Sequence, residues 1–229
     1  MALLKGEGTH QILYGSADIF SGIRHNRGYL SRPDHAGSFP SVLVVHGASG
    51  LTSSVKSVAR RLARYGLAVV APDLYRGRRQ LRRPVPAWPA GSDLRADITD
   101  ALEWMNSADT PWIQPGAVGL LALGQGADAA LAAASHDEAI GCVALVAPVL
   151  GARVPPLDLP VIGFYGKDDE IVGSDEQAAA QRALEHAEWV LYGGAGHGLV
   201  DESASDYRWD VAEDALDRII EFFDEHLDT

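Results

Sequence analysis

Few residues in this sequence have the type and setting to do chemistry. His197 stands in Gly193-Gly194-Ala195-Gly196-His197-Gly198 and Asp169 in Gly166-Lys167-Asp168-Asp169-Glu170-Ile171-Val172, each in a segment that follows an apolar run. A carboxylate that orients an imidazole makes a general base able to activate water or abstract a proton. The same two residues could instead form a hydrogen-bonded pair that serves stability alone. The glycines around His197 weigh against that second reading, because glycine raises the entropic cost of ordering a loop. Arg76, Arg78, Arg79, Arg82 and Arg83 fall within eight residues of an otherwise acidic chain. Guanidinium forks bind carboxylates in bidentate fashion, so the segment from Arg76 to Trp88 is either an anion-binding wall or a solvated loop. Cys142 lies within the apolar stretch Ile140–Val146, where a cysteine acts as a small hydrophobe. Ser49 is a candidate nucleophile with no base predicted beside it, Asp128 reads as a surface residue, and His46 reads as a packing residue at the root of its loop. The eight histidines show no H-x-x-x-H spacing, and with one cysteine there is no C-x-x-C, so no metal site is expected.

These residues need a scaffold, and the 229-residue chain is long enough to be one large α/β domain, residues 1–229. Hydrophobic residues make up 47% of it, a globular rather than membrane or disordered composition. Apolar runs alternate with amphipathic ones from Ser41 onward, the rhythm of a mostly parallel sheet covered by helices on both faces. The expected buried strands are Val42–Val45, Leu67–Ala71, Ala117–Leu123, Ile140–Ala147, Val161–Tyr165 and Trp189–Tyr192, with Gly28–Leu30 adding antiparallel edge structure. Helices are expected over Val55–Ala63 with Gly66 as the stop, from Ser92 through Met105, from about Gln125 to His136, from Ser174 with Gln177 as a capping box, and from about Asp206 to His226. In the last of these, Trp209, Ala212, Leu216, Ile219, Ile220 and Phe223 should face the core.

A net charge of -12 repels phosphate backbones, so nucleic acid is not an expected partner. No stretch has the roughly 20 uninterrupted apolar residues of a membrane helix, and the early Lys5 and Glu7 do not fit a signal peptide. The lone Cys142 suits a reducing compartment. A cytoplasmic protein without cofactor, monomeric or homodimeric, is the expectation.

In an open parallel sheet, ligands bind outside the carboxyl ends of the strands, so the segments after each strand carry the most information. Val44-Val45-His46-Gly47-Ala48-Ser49-Gly50 resembles the oxyanion loop of α/β-hydrolases, and Ala71-Pro72-Asp73-Leu74-Tyr75-Arg76-Gly77 resembles the Pro-Asp-Leu-Tyr segment of the dienelactone hydrolase family. The loops of Asp169 and His197 are similar to that family's acid and histidine loops, and the chain order of elbow, acid and histidine is that of α/β-hydrolases. The resemblance covers roughly residues 29 to 223. It implies an α/β-hydrolase fold with minimal or no cap, Asp169 and His197 as catalytic residues, Gly47, Ala48 and Gln125 at the oxyanion hole, and Arg76 and Trp88 among the substrate-binding residues.

One loop departs from the pattern. The family carries Gly-x-Cys-x-Gly at the strand-to-helix elbow and many relatives carry Gly-x-Ser-x-Gly, whereas this chain reads Ala122-Leu123-Gly124-Gln125-Gly126. The small residues that a tight elbow requires are retained, but Gly124 stands at the nucleophile position with no side chain to attack. The resemblance therefore implies an enzyme acting on a small ester, lactone or related carbonyl compound, carboxylate-bearing ones included, by a non-covalent His/Asp general-base route. The alternatives are an inactive binding module, or a lyase, isomerase or cyclase on the same fold.

Overall fold

A computed structural model describes residues 8–76, 93–151 and 153–227. The strands are β1 (Ile12–Ser21), β2 (Arg24–Pro33), β3 (Phe39–Val45), β4 (Ala68–Pro72), β5 (Ile113–Leu123), β6 (Ile140–Val146), β7 (Val161–Gly166) and β8 (Glu188–Tyr192). They form one sheet in the order β1-β2-β4-β3-β5-β6-β7-β8. The β1–β2 hairpin is antiparallel and joins β4 antiparallel, while β3 through β8 run parallel.

Helices α1 (Ser53–Arg64), α2 (Leu94–Met105), α3 (Ala127–Ala134), α4 (Ser174–Ala183) and α5 (Trp209–His226) cover the sheet. Strand side chains alternate between two cores. Val42 and Val44 pack with Val55, Val58 and Leu62 of α1 and Ile219 and Phe223 of α5, whereas Leu43 and Val45 pack with Ile98 and Leu102 of α2 and Ala127 and Leu131 of α3. Burial on both faces is why these strands read as continuous apolar runs. Each fully buried aliphatic or aromatic side chain contributes about 1.5–3 kcal/mol.

The expected strands are present, and α1 buries the apolar face read from its spacing, with Gly66 at φ +102° just past its end. Three expectations need correction. The second helix is capped by Asp93, whose side chain accepts from Ala96 N, and begins at Leu94; Ser92 lies outside the described residues. The fourth helix has Gly173 at its N-cap and forms no Ser174–Gln177 box. Gln177 is instead buried and donates to the carbonyls of Gly166 and Val172, both at 2.9 Å, because those carbonyls of the acid loop are buried with it. Trp209 does not join the core: it is the first residue of α5, on the turn that begins the helix, and is 68% exposed.

Strand order reverses at β3, which has β4 on one side and β5 on the other. That places the loops after β3 and β5 side by side at the sheet's carboxyl edge, where a crevice forms in open α/β sheets. The register carries the edge onward, with Val45 opposite Ala122, Leu123 opposite Val146 and Gly166 opposite Tyr192. Loops far apart in sequence therefore leave the sheet at one level.

Candidate active site

The elbow follows β5. Leu123 is extended, residues Gly124–Gly126 make one 3₁₀ turn, and α3 begins at Ala127. Gly124 has φ +52°, the left-handed region that a residue with a side chain occupies at a cost of roughly 1–2 kcal/mol. Gly126 is needed for clearance: a Cβ there would stand 2.7 Å from the carbonyl oxygens of Val45 and His46, in backbone that cannot yield. The tight turn expected from Ala122 and Gly126 is thus built, and its apex is Gly124.

Asp169 follows β7 and His197 follows β8. His197 Nδ1 lies 2.8 Å from Asp169 Oδ2, with the carboxylate fully buried and the imidazole 23% exposed. The other carboxylate oxygen accepts the backbone N–H groups of Ile171 and Val172, at 2.8 and 2.9 Å. Burial pushes the Asp169 pKa up, but the bonds from His197 and the two amides prevail and hold it below the usual carboxylate value. An ionised Asp169 accepts Nδ1–H, which leaves Nε2 as the basic nitrogen. Nε2 faces the elbow: it is 3.6 Å from the point a Cβ on Gly124 would occupy, and among the described residues beyond the elbow turn no other atom lies within 4 Å of that point. The glycines beside His197 serve close approach, since side chains at Gly196 and Gly198 would collide with Asp206, whose carboxylate accepts Gly198 N at 3.1 Å.

The loop after β3 closes the other side. Gly47 lines the cavity, and Ala48 N donates to Gln125 Oε1 at 3.3 Å, tying this loop to the elbow. Tyr75 Oη donates to the carbonyl of Ala48, and its ring stacks on His46 at 5.9 Å. His46 itself is fully buried, with Nδ1 on the Gly47 carbonyl at 2.8 Å and Nε2 accepting Leu74 N at 3.1 Å. Burial pushes its pKa below 6.5, so it is a neutral packing residue as expected.

A cavity of about 710 Å³ opens beside Gly124, His197, Gly47 and Gln125. Its described wall is apolar at Val55, Val58, Leu123, Val146, Ile171 and Leu199 and carries the carboxylates of Asp168, Glu170, Asp201 and Asp206. Arg208 is the arginine on that described wall, and its guanidinium is held by Asp210 and by the carbonyls of Gly193 and Gly194. Sequence reasoning did not single out Asp201 or Arg208, because neither is marked by type or spacing; only the packing of the chain after His197 across the cavity brings them to it.

Arg76 does not face this cavity. Its guanidinium donates to Asp97 through Nε at 2.9 Å and also through Nη2, and it lies 3.6 Å from Asp100. The Asp97 side chain is only 2% exposed and, being buried, requires charged partners. Trp88, Arg78, Arg79, Arg82 and Arg83 lie outside the described residues. Of the other nucleophile candidates, Cys142 is fully buried with its thiol pushed up to about 12, Ser49 is exposed on the cavity wall, and Asp128 is a surface residue holding Gly151 N.

A family model of the dienelactone hydrolases matches residues 26–227. The chain belongs to the dienelactone hydrolase family. Among dienelactone hydrolase relatives, a Yersinia pestis protein that carries a provisional carboxymethylenebutenolidase name is 25% identical, over 95% of this chain and 90% of its own. A Methylorubrum extorquens protein of the same provisional name is 28% identical, over 85% and 75%. Among solved structures, a provisionally named dienelactone hydrolase from Klebsiella pneumoniae superposes with a TM-score of 0.81 at 24% identity, covering 95% of this chain and all of that one. A dienelactone hydrolase-like promiscuous phosphotriesterase from metagenomic libraries gives 0.74 at 19%, covering 94% and 99%. These likenesses establish the α/β-hydrolase fold of the family. Among the described residues, no helix is long and apolar enough to cross a membrane.

Proposed function

We propose that this member of a hydrolase family acts on a small ester, lactone or related carbonyl compound without a covalent intermediate. Asp169 fixes the Nδ1–H tautomer of His197, and Nε2 takes a proton from a water molecule that attacks the substrate carbonyl from the side of Gly124. The N–H groups of Gln125 and Ala48 receive the oxyanion that develops. The observation that carries this reading is the open point 3.6 Å from His197 Nε2, where relatives with a side-chain nucleophile would place its Cβ. A glycine there removes the attacking group and leaves the base its access.

The substrate we favour is neutral or cationic. Asp168, Glu170, Asp201 and Asp206 face the cavity against Arg208. Asp201 accepts from Ser54 Oγ and Ser203 Oγ, both at 2.6 Å, and although burial opposes ionisation these bonds keep its pKa below the usual value. Fixed negative charge on the described wall repels an anionic substrate, and this favours a neutral compound over the carboxylate-bearing one that the family resemblance implies.

The absent side chain at Gly124 also favours a second reading, a binding module without turnover. Hydrolysis of neutral and carboxylate-bearing p-nitrophenyl esters by the wild type and by His197→Ala separates the two. The enzyme reading expects steady-state hydrolysis without an acyl burst, a preference for the neutral ester, and a loss of about 10²–10⁴-fold in His197→Ala. Equal rates for wild type and His197→Ala would leave the binding module as the better account.

A further inference from the structure

Gln125 gives its backbone to the elbow turn, but its side chain crosses to the neighbouring loop. Its Oε1 accepts Ala48 N at 3.3 Å and lies at the same distance, 3.3 Å, from the point a Cβ on Gly47 would occupy. A peptide N–H can only donate, so the contacting atom is the amide oxygen and not the amide nitrogen, which fixes the orientation of the Gln125 side chain. A side chain at Gly47 would crowd that oxygen, so the glycine leaves it room. Gln125 also lines the cavity together with Leu123 and Gly124, so it has space into which it can turn.

We propose that Gln125 is a latch on the oxyanion site: in the resting protein its side-chain oxygen occupies the Ala48 N–H that a substrate oxygen must use, and it turns into the cavity when a stronger acceptor arrives. This inference rests on the proposed function, which assigns Ala48 N–H to the developing oxyanion. The latch is a neutral carbonyl acceptor, as is the oxygen of an ester in its ground state, so exchanging one for the other gains little. A developing oxyanion forms a charge-assisted bond roughly twice as strong and displaces the latch. The site therefore discriminates between ground state and transition state, where catalytic advantage arises, and the buried N–H stays satisfied when no substrate is bound. Gln125 is a positioning residue, acting through Ala48 rather than on the reacting atoms.

The test uses ¹⁵N-labelled wild type, Gln125→Met, which keeps the length and removes the carbonyl acceptor, and Gln125→Glu, which strengthens the acceptor. Trimethylphosphine oxide, a neutral and strong hydrogen-bond acceptor, is the probe. In Gln125→Met the Ala48 amide resonance should move upfield, and the probe should bind about 3- to 10-fold more tightly, the equivalent of one neutral hydrogen bond. In Gln125→Glu the same amide should move downfield and the probe should bind more weakly than to the wild type. An Ala48 amide unchanged in both variants would sink the latch, as would a Gln125→Met protein that binds the probe no better than the wild type. Because these readouts need no turnover, a wild type inert toward esters would refute the proposed function separately.

Discussion

His46 and His197 are the same residue type, each in a loop that leaves the carboxyl edge of one parallel sheet, and they are built for opposite ends. His46 is fully buried with one ring nitrogen on the Gly47 carbonyl and the other receiving Leu74 N. His197 has Nδ1 on Asp169 and Nε2 turned toward the open side of Gly124. A nitrogen that already accepts a peptide N–H cannot accept a proton without breaking that bond, so His46 braces the oxyanion loop. A nitrogen that faces a cavity, in a tautomer set by an ionised carboxylate, is available as a base. The partner of the far nitrogen decides the chemistry.

The comparison can be broken most severely at Asp169. Asp169→Asn keeps the shape but no longer favours the Nδ1–H tautomer, and activity on a neutral ester should fall by up to about 10⁴-fold, the size of the analogous change in serine proteases. Circular dichroism should show the fold retained; an active Asp169→Asn protein would remove His197 from the mechanism. His46→Leu should act on the other quantity, stability. It strands Leu74 N–H, at about 1–3 kcal/mol for a buried unsatisfied group, while the Gly47 carbonyl keeps its bond from Gly50 N at 3.0 Å; a lowered denaturant midpoint would register the loss.

A third change would give the far nitrogen of His197 a protein partner like that of His46. Gly124→Ser should cost roughly 1–2 kcal/mol for a side chain in the left-handed region and place Oγ within reach of Nε2, creating an acyl-enzyme burst with p-nitrophenyl acetate that the wild type lacks. A folded Gly124→Ser protein without a burst would show that the oxyanion donors are misplaced.

Acid should distinguish the two histidine loops more gently. The folded-state pKa of His46 lies below its unfolded value of 6.5, so the unfolded chain binds the extra proton first. The stability contributed by burying neutral His46 is complete above pH 6.5 and declines as pH falls below it toward the folded-state value. Asp169, whose folded pKa is lowered from 3.8, contributes stability that is present above 3.8 and is lost only as pH falls through its folded value. Thermal midpoints should therefore slope downward with acid below 6.5 in the wild type and slope less in His46→Leu. The smallest effect is expected at Trp209: with its side chain largely in solvent, Trp209→Ser should change stability by less than about 0.5 kcal/mol.

The strands, the helices and the loops bearing Asp169, His197 and the elbow were legible in the sequence, because burial on both faces leaves continuous apolar runs and each run ends at the sheet edge where a site can form. Local spacing also located Gly124 at the turn, since the small residues Ala122 and Gly126 mark it. What spacing could not reveal was the destination of side chains that cross between elements. Gln177 looked like a helix cap and instead secures the acid loop; Arg76 looked like an anion receptor and instead neutralises buried Asp97. Trp209 fitted the apolar stripe of α5 and faces solvent. Residue types and their order fix which groups can meet, through local backbone preference and hydrophobic burial. Which polar group satisfies which is a long-range matter, settled only when the β3, β5, β7 and β8 loops are packed against one another.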